Sequence, residues 1–110
     1  MSADACLVFY GIRQEIAVSD IHEYETRKHP SFKGCRGAGL HLFWGNFGCP
    51  EEAYFVFLGR QIGLIGPQHE IAVQLSAESL AQIVTETRKS LASAGFIGEQ
   101  QLYIQWLLDV

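Results

Sequence analysis

The period of the hydrophobic pattern changes in the second half of the chain, and this change restricts the folds that the sequence can adopt. Between residues 40 and 75, short runs alternate apolar and polar side chains with the period of two that is typical of strands. Between Leu80 and Leu91 the apolar residues instead recur with the spacing of an amphipathic helix. Antiparallel strands and a one-sided helix bury their apolar faces against each other. The sequence therefore predicts an α+β fold.

Strand-forming runs and helix signals divide the rest of the chain into short elements. The predicted strands span 5–16, 40–44, 53–58, 61–65, 70–75 and 101–108. Gly59 and Arg60 are predicted to form the two-residue turn of a hairpin. One helix is predicted over 20–28, and a longer one is predicted between an N-cap at Ser76 and a stop at Gly95. Residues 31–38 fit either a helix or a loop, because glycines are frequent there.

This order of elements, β-α-β-β-β-β-α-β, predicts a two-layer sandwich. Two main helices would pack on a mostly antiparallel sheet of five to six strands. A chain of 110 residues fits a single domain, which we expect to span residues 1–110. Apolar residues make up 48% of the chain and charged residues 18%, a composition that argues against intrinsic disorder.

Charge and cysteine content limit the expected partners and location. A net charge of −4 argues against a nucleic-acid ligand, because such binding depends on neutralising phosphates. The longest stretch without charged residues, 37–50, is too short and too rich in glycine for a membrane span, so no membrane partner is predicted. No basic residue precedes the first apolar run, as one would in a secretion signal. The three cysteines are therefore expected to be reduced thiols in the cytoplasm.

A local concentration of positive charge is the clearest functional signal in this acidic chain. Half of the eight Lys and Arg residues lie between positions 27 and 36, and no Asp or Glu lies between 26 and 50. The segment 27–41 is therefore predicted to bind an anion. The predicted ligand-binding residues are Arg27, Lys33, Arg36 and His41. The alternative is a solvated loop with no ligand.

Histidines and cysteines in the same region raise two further alternatives. His29, Cys35, His41 and Cys49 are types of residue that bind zinc, but their spacing does not match structural zinc sites. We therefore predict neither a metal nor a cofactor. Cationic neighbours in sequence would favour a reactive thiolate at Cys35, but the chain contains no established catalytic motif. Catalytic residues are left unassigned.

The aromatic strands of the central region have two apolar faces. If Trp44, Phe55 and Phe57 faced the core, then alternation would place the residues between them on the opposite face. Two short helices can cover only one face of a sheet, so the other face is predicted to pack against a second copy of the chain or to bind an apolar ligand. The alternative is that the sheet curls and this face packs as core within a single chain. The predicted interface residues are Tyr54, Val56 and Leu58.

These observations favour a non-enzymatic binding or interaction protein that acts as a homodimer. The alternative is a small-ligand enzyme or sensor that uses the segment 27–41. In that alternative Lys33 and Arg36 would hold an anionic group, while His41 or Cys35 would transfer a proton or act as a nucleophile. A third possibility is that the same basic segment binds an acidic protein partner.

Overall fold

The computed structural model describes residues 4–46 and 53–107. Those residues form one antiparallel sheet whose strands lie in the order β2-β3-β1-β4. The strands are β1 (Ala5–Glu15), β2 (His41–Gly45), β3 (Phe55–Ile65) and β4 (Gln101–Leu107). The helices are α1 (Ile21–Glu25), preceded by a 3-10 turn at Val18–Asp20, α2 (Pro30–Ala38) and α3 (Ala77–Ser93). The predicted α+β class is confirmed. None of these helices has the length and apolar character needed to cross a membrane.

The sheet has fewer strands than predicted, because the described residues form four strands rather than five or six. The predicted strands 53–58 and 61–65 are one continuous strand, β3. The predicted strand 70–75 forms a single bridge, between Glu70 and Ile65. The main chain of Glu70 is bound to Leu64 and Gly66, so this segment crosses the end of β3 instead of pairing along it. The observed order is therefore β-α-α-β-β-α-β.

The predicted turn at Gly59 and Arg60 is wrong, and the glycine has a different role. Gly59 lies opposite Gly11 in the ladder between β3 and β1. Both glycines have positive φ angles, 151° and 153°. A Cβ atom on Gly59 would overlap the carbonyl oxygen of Tyr10 and lie 2.9 Å from the Cα atom of Gly11. The glycine pair thus permits a close approach of two strands, and the chain does not turn there.

The predicted long helix is confirmed, and residues 31–38, which fitted either a helix or a loop, lie within a helix. The Ser76 hydroxyl accepts a hydrogen bond from the Ser79 N–H at 3.0 Å, which confirms the predicted N-cap of α3. Residues 30–38 form helix α2, and His29 Nδ1 caps it by accepting the Ser31 N–H at 3.2 Å. The predicted helix 20–28 is shorter than expected. It ends after Glu25, because Arg27 adopts a positive φ of 58°.

The three helices pack on one face of the sheet. Trp44 faces them as considered from the sequence, whereas the orientation considered for residues 54–58 is the reverse of the observed one. Trp44 lies opposite Val56 in the ladder between β2 and β3, so these two side chains share a face. That face is the helix-covered one, where Val56 and Leu58 are each 2% exposed and Tyr54 is half-buried. As folded, Val56 and Leu58 therefore present no surface to a second copy of the chain.

The second face of the sheet is also buried. Leu7, Phe9, Phe57 and Leu107 have no exposed surface and form one cluster there. The Phe57 ring lies 5.4 Å from the ring of Phe9 and 5.4 Å from that of Tyr103, measured between centroids. These contacts account for the two apolar faces seen in the sequence, because each face has its own core within one chain.

Candidate functional site

A groove of about 970 Å³ lies between α2, β2 and the second half of β3. It exists because the two strands differ in length. β2 pairs with β3 only from Gly45 opposite Phe55 to His41 opposite Gly59. Residues 60–65 of β3 extend beyond β2, and α2 and the turn at 66–70 enclose the space that a longer β2 would fill. The size of the groove is within the range of small-molecule sites.

Side chains accept hydrogen bonds from main-chain N–H groups of β3 where this strand borders the groove. The Gln61 N–H donates to His41 Nδ1 at 2.9 Å. The Leu64 N–H donates to Glu70 Oε2 at 2.8 Å. These two bonds occupy donors that an added strand would need, so this edge of the sheet is closed to further strand pairing.

Three of the four predicted ligand-binding residues line this groove. Arg27 comes from the segment between α1 and α2, Arg36 from α2 and His41 from the start of β2. Lys33 is exposed on α2 and does not line the groove. The fold therefore brings together the residues of the segment 27–41 that were predicted to bind an anion, apart from Lys33.

The two guanidinium groups at the groove are available to a ligand. Neither Arg27 nor Arg36 forms an ion pair or a side-chain hydrogen bond with another residue in the part of the chain that the structure describes. His41 and His69 are two further basic side chains at the groove. Glu70 also lines the groove, but one of its carboxylate oxygens is bound to the Leu64 N–H. The groove consequently has a surplus of positive charge in a chain with a net charge of −4.

Arg27 adopts a backbone conformation that is unfavourable for a residue with a side chain. Its φ of 58° is the one positive value of a non-glycine residue among the described positions. Helices commonly end with a residue in this conformation, and glycine is the usual choice because it has no Cβ atom. An arginine here costs conformational energy that glycine would not, and it places a guanidinium at the groove. Such strain is more common at functional sites than elsewhere.

The remaining wall of the groove is largely apolar. Its apolar side chains come from α2, β2 and β3. They are Phe32, Leu40, Leu42, Trp44, Ile62 and Leu64. Trp44 is held in place by Tyr24 and Tyr54, whose ring centroids lie 5.8 Å and 6.2 Å from its own. The groove thus combines a cationic part with a hydrophobic wall on a rigid sheet.

The hydrogen bond that His41 accepts determines which of its two ring nitrogens can donate a hydrogen bond to a ligand. Because Nδ1 accepts the Gln61 N–H, the proton of a neutral imidazole resides on Nε2. Nε2 is then a hydrogen-bond donor, and an oxyanion in the groove can accept this bond.

Cys35 lies at the bottom of the groove but does not have the properties of a nucleophile. The residue is buried within the helix-covered core. Burial raises the pKa of its thiol from 9.0 to about 11. The thiol is therefore protonated at neutral pH, whereas a reactive cysteine requires a lowered pKa. The alternative in which Cys35 acts as a nucleophile has no support from this environment.

The raised pKa of Cys35 predicts a loss of stability at alkaline pH. The folded chain holds the thiol proton more tightly than the unfolded chain, so this contribution is complete below pH 9 and is lost as the pH rises toward 11. We expect the free energy of unfolding in urea to fall more steeply over this range in the native chain than in Cys35→Ala. Tyr24, whose pKa is raised mainly by burial and to a smaller extent by Cys35, titrates in both proteins, so the larger part of its contribution is common to the two. Equal slopes for the two proteins would contradict the prediction.

The residues considered for zinc do not form a metal site in the described residues. In the described residues, the ligand atoms of His29, Cys35 and His41 do not lie together closely enough to share an ion, and Cys49 lies outside those residues. His29 instead stacks on Tyr24, with 4.4 Å between ring centroids. Its imidazole does lie near the carboxylates of Asp20 and Glu23. Exposed groups of this kind are common without an ion, and we assign no metal to them.

Half of the groove was not foreseen from the sequence. Gln61, Ile62, Gly63 and Leu64 were expected in a hairpin strand, and the turn at 66–70 was given no role. These residues meet the segment 27–41 only because β3 is long and adjacent to β2. A local pattern contains no signal for such an encounter.

Comparisons of this chain with protein-family models, with curated proteins and with solved structures gave no match. The properties of the groove are therefore the basis for assigning a function.

Proposed function

We propose that this protein is a non-enzymatic binding domain for a small molecule with an anionic oxygen head, such as a carboxylate or a phosphate, and an apolar body. The observation that supports this most directly is the convergence of Arg27, Arg36 and His41 at one groove with a hydrophobic wall. Arginine is suited to such a head, because its planar group forms two parallel hydrogen bonds to a carboxylate or phosphate. The apolar wall would cover the body of the ligand.

The closed edge of β3 favours a small molecule over an extended peptide. A peptide would bind here by adding a strand to the sheet, which requires free main-chain groups along β3. His41 and Glu70 already bind two of those N–H groups. An acidic protein partner would therefore need to bind through side chains alone, and this third possibility has less support.

Binding without catalysis is favoured by the chemistry at the groove. Burial raises the pKa of Cys35, a thiol that lines the groove, to about 11. Nδ1 of His41 is engaged by the main chain, so a single nitrogen of that imidazole is left for a ligand. These groups suit the recognition of an anion better than the transfer of a proton or an acyl group.

The cytoplasm is the compartment that we propose for this protein. Cys6 and Cys35 are free thiols in the structure, as expected in a reducing environment. We also propose that it acts as a homodimer. With Val56 and Leu58 buried beneath the helices, that proposal depends on a different surface.

The binding proposal is tested with octanoate, octyl phosphate and 1-octanol, which share an apolar chain but differ in the head. The chain has two tryptophans, and Trp44 lines the groove whereas Trp106 lies on β4. We expect the two anions to shift the indole N–H signal of Trp44 in a ¹⁵N–¹H NMR spectrum and to leave that of Trp106 unchanged. Octanol should bind at least about tenfold more weakly, because it cannot form charge-assisted hydrogen bonds.

Three single substitutions test which residues bind the anion. Arg36→Ala should weaken octanoate binding about 10- to 100-fold, the usual effect of losing a charge-assisted hydrogen bond. Arg27→Gly should also weaken binding, yet leave the chain at least as stable, since glycine relieves the unfavourable φ. Lys33→Ala is the matched control, because it removes a cation from the same segment outside the groove. Equal binding of octanol, or an equal effect of Lys33→Ala, would contradict the proposal.

A further inference from the structure

The two edges of the sheet differ in how they are protected. Along the exposed part of β3, side chains of His41 and Glu70 occupy main-chain donors. On the opposite edge, no other strand in the described residues pairs with the outer side of β4. β4 has the sequence QLYIQWL and contains no charged residue and no proline. Proteins usually place charged residues or prolines on free edges to prevent unwanted pairing. Their absence from β4 is typical of a strand that pairs with a partner.

β4 also presents an exposed apolar stripe. Leu102, Ile104 and Trp106 alternate along one face of the strand and are 47%, 69% and 56% exposed. On the same face of β1, Cys6 lies opposite Trp106 and Val8 lies opposite Ile104. Both β1 residues are partly exposed, so they widen the stripe. Large apolar side chains in this arrangement are typical of an interface.

We infer that β4 pairs antiparallel with β4 of a second copy of this chain, with Ile104 on the two-fold axis. A two-fold axis perpendicular to the sheet leaves each side chain on the same face of the joined sheet in both copies. It therefore places Leu102 of one chain opposite Trp106 of the other, and Ile104 opposite its own copy. The apolar stripe continues across the junction, and no charged pair is created because β4 has no charged residue.

The arrangement would join two four-stranded sheets into one sheet of eight strands. From the exposed fractions, the three side chains offer on the order of 400 Å² per chain, about half of what one partner contributes to a standard interface. The main-chain edge of β4 adds to this area. The self-complementary register favours a second copy over an unrelated partner. The interface is on the edge opposite the groove, so it does not depend on the proposed ligand.

Substitution of Ile104 by lysine tests the interface. We expect the native chain to be a dimer by native mass spectrometry and by light scattering during gel filtration. In Ile104→Lys two ammonium groups would meet at the axis, and the dissociation constant should rise on the order of a hundredfold or more. The thermal unfolding midpoint at a concentration where both proteins are monomers should be unchanged. Ile71→Lys is the matched control, because Ile71 is 96% exposed and lies outside the stripe.

A disulfide test examines the register directly, in a background with Cys6→Ser and Cys49→Ser. Residues opposite each other in antiparallel strands have Cα atoms about 4.5–5.5 Å apart, within the range of a disulfide. Ile104→Cys should therefore form a covalent dimer under mild oxidation. Leu102→Cys should not, because residue 102 and its copy would be offset by four residues, roughly 13 Å. Its combination with Trp106→Cys should restore the cross-link.

The inference is overturned if the native chain is monomeric at every concentration tested. It is equally overturned if Ile104→Lys dimerises as the native chain does, or if Leu102→Cys alone cross-links as fast as Ile104→Cys. Each of these results can occur with intact anion binding in the groove, so failure of the interface and failure of the proposed function are distinguishable.

Discussion

Replacement of Gly11 by alanine is expected to remove a large part of the stability of the fold. A Cβ atom at this position would overlap the carbonyl oxygen of Leu58 and lie 2.9 Å from the Cα atom of Gly59. The φ of 153° is in addition unfavourable for any residue with a side chain. The neighbouring atoms belong to the main chain of β3 in the centre of the sheet, so they cannot move without breaking the ladder. We expect a loss of about 4 kcal/mol or more, a large part of the stability of a domain of this size.

The measurement is urea unfolding followed by circular dichroism, with Gly37→Ala as the control. Gly37 lies within α2, and no atom would be within 4 Å of a Cβ added there. Alanine at an open helical position should raise stability by about 0.5–1 kcal/mol. If Gly11→Ala unfolded at the same urea concentration as the native chain, the close approach of β1 and β3 would be refuted.

Replacement of Phe57 by alanine is expected to destabilise the second face of the sheet by about 3–5 kcal/mol. Phe57 has no exposed surface, and its ring contacts those of Phe9 and Tyr103. The sheet is fixed on both sides of β3, so the cavity left by the ring cannot close. The guanidinium of Arg13 covers this cluster from outside, 5.2 Å from the centre of the Tyr103 ring. Stacking of the Arg13 guanidinium on the Tyr103 ring does not replace the contacts that are lost with the Phe57 ring.

Phe57→Leu and Ile97→Ala are the controls for this cavity. Leucine fills part of the space, so its effect should be smaller than that of alanine. Ile97 is exposed, and its truncation should change the free energy of unfolding by less than about 0.5 kcal/mol. A loss of under about 1 kcal/mol in Phe57→Ala would mean that this face is covered only loosely and would reopen it as an interface.

The two faces and the two edges of the sheet have separate roles, two of them as cores and two as proposed binding sites. Both faces are cores, one beneath the helices and one formed by the Phe57 cluster. One edge adjoins the groove proposed to bind an anion, where β2 is shorter than β3. The other edge, β4, is the proposed dimer contact. The proposed ligand site and the proposed dimer contact therefore lie on separate surfaces.

Local patterns determined the elements whose formation depends on their own residues. The α3 helix was predicted because its cap at Ser76 and its apolar spacing lie within one short segment. The basic segment 27–41 was identified for the same reason, since the absence of carboxylates over 25 positions is visible in the sequence. Three of its four proposed ligand residues lie together at the groove.

Only the tertiary structure decided what depends on strand pairing. Gly59 looks like a turn residue from its neighbours, but its conformation is required by Gly11, 48 positions earlier and opposite it in the ladder. Trp44 and Val56 share a face because of the register between β2 and β3, and a shift of one residue would reverse that assignment. The groove likewise exists because β3 extends beyond β2. Side-chain alternation has a period of two, so a sequence specifies which residues share a face but not which face the helices will cover.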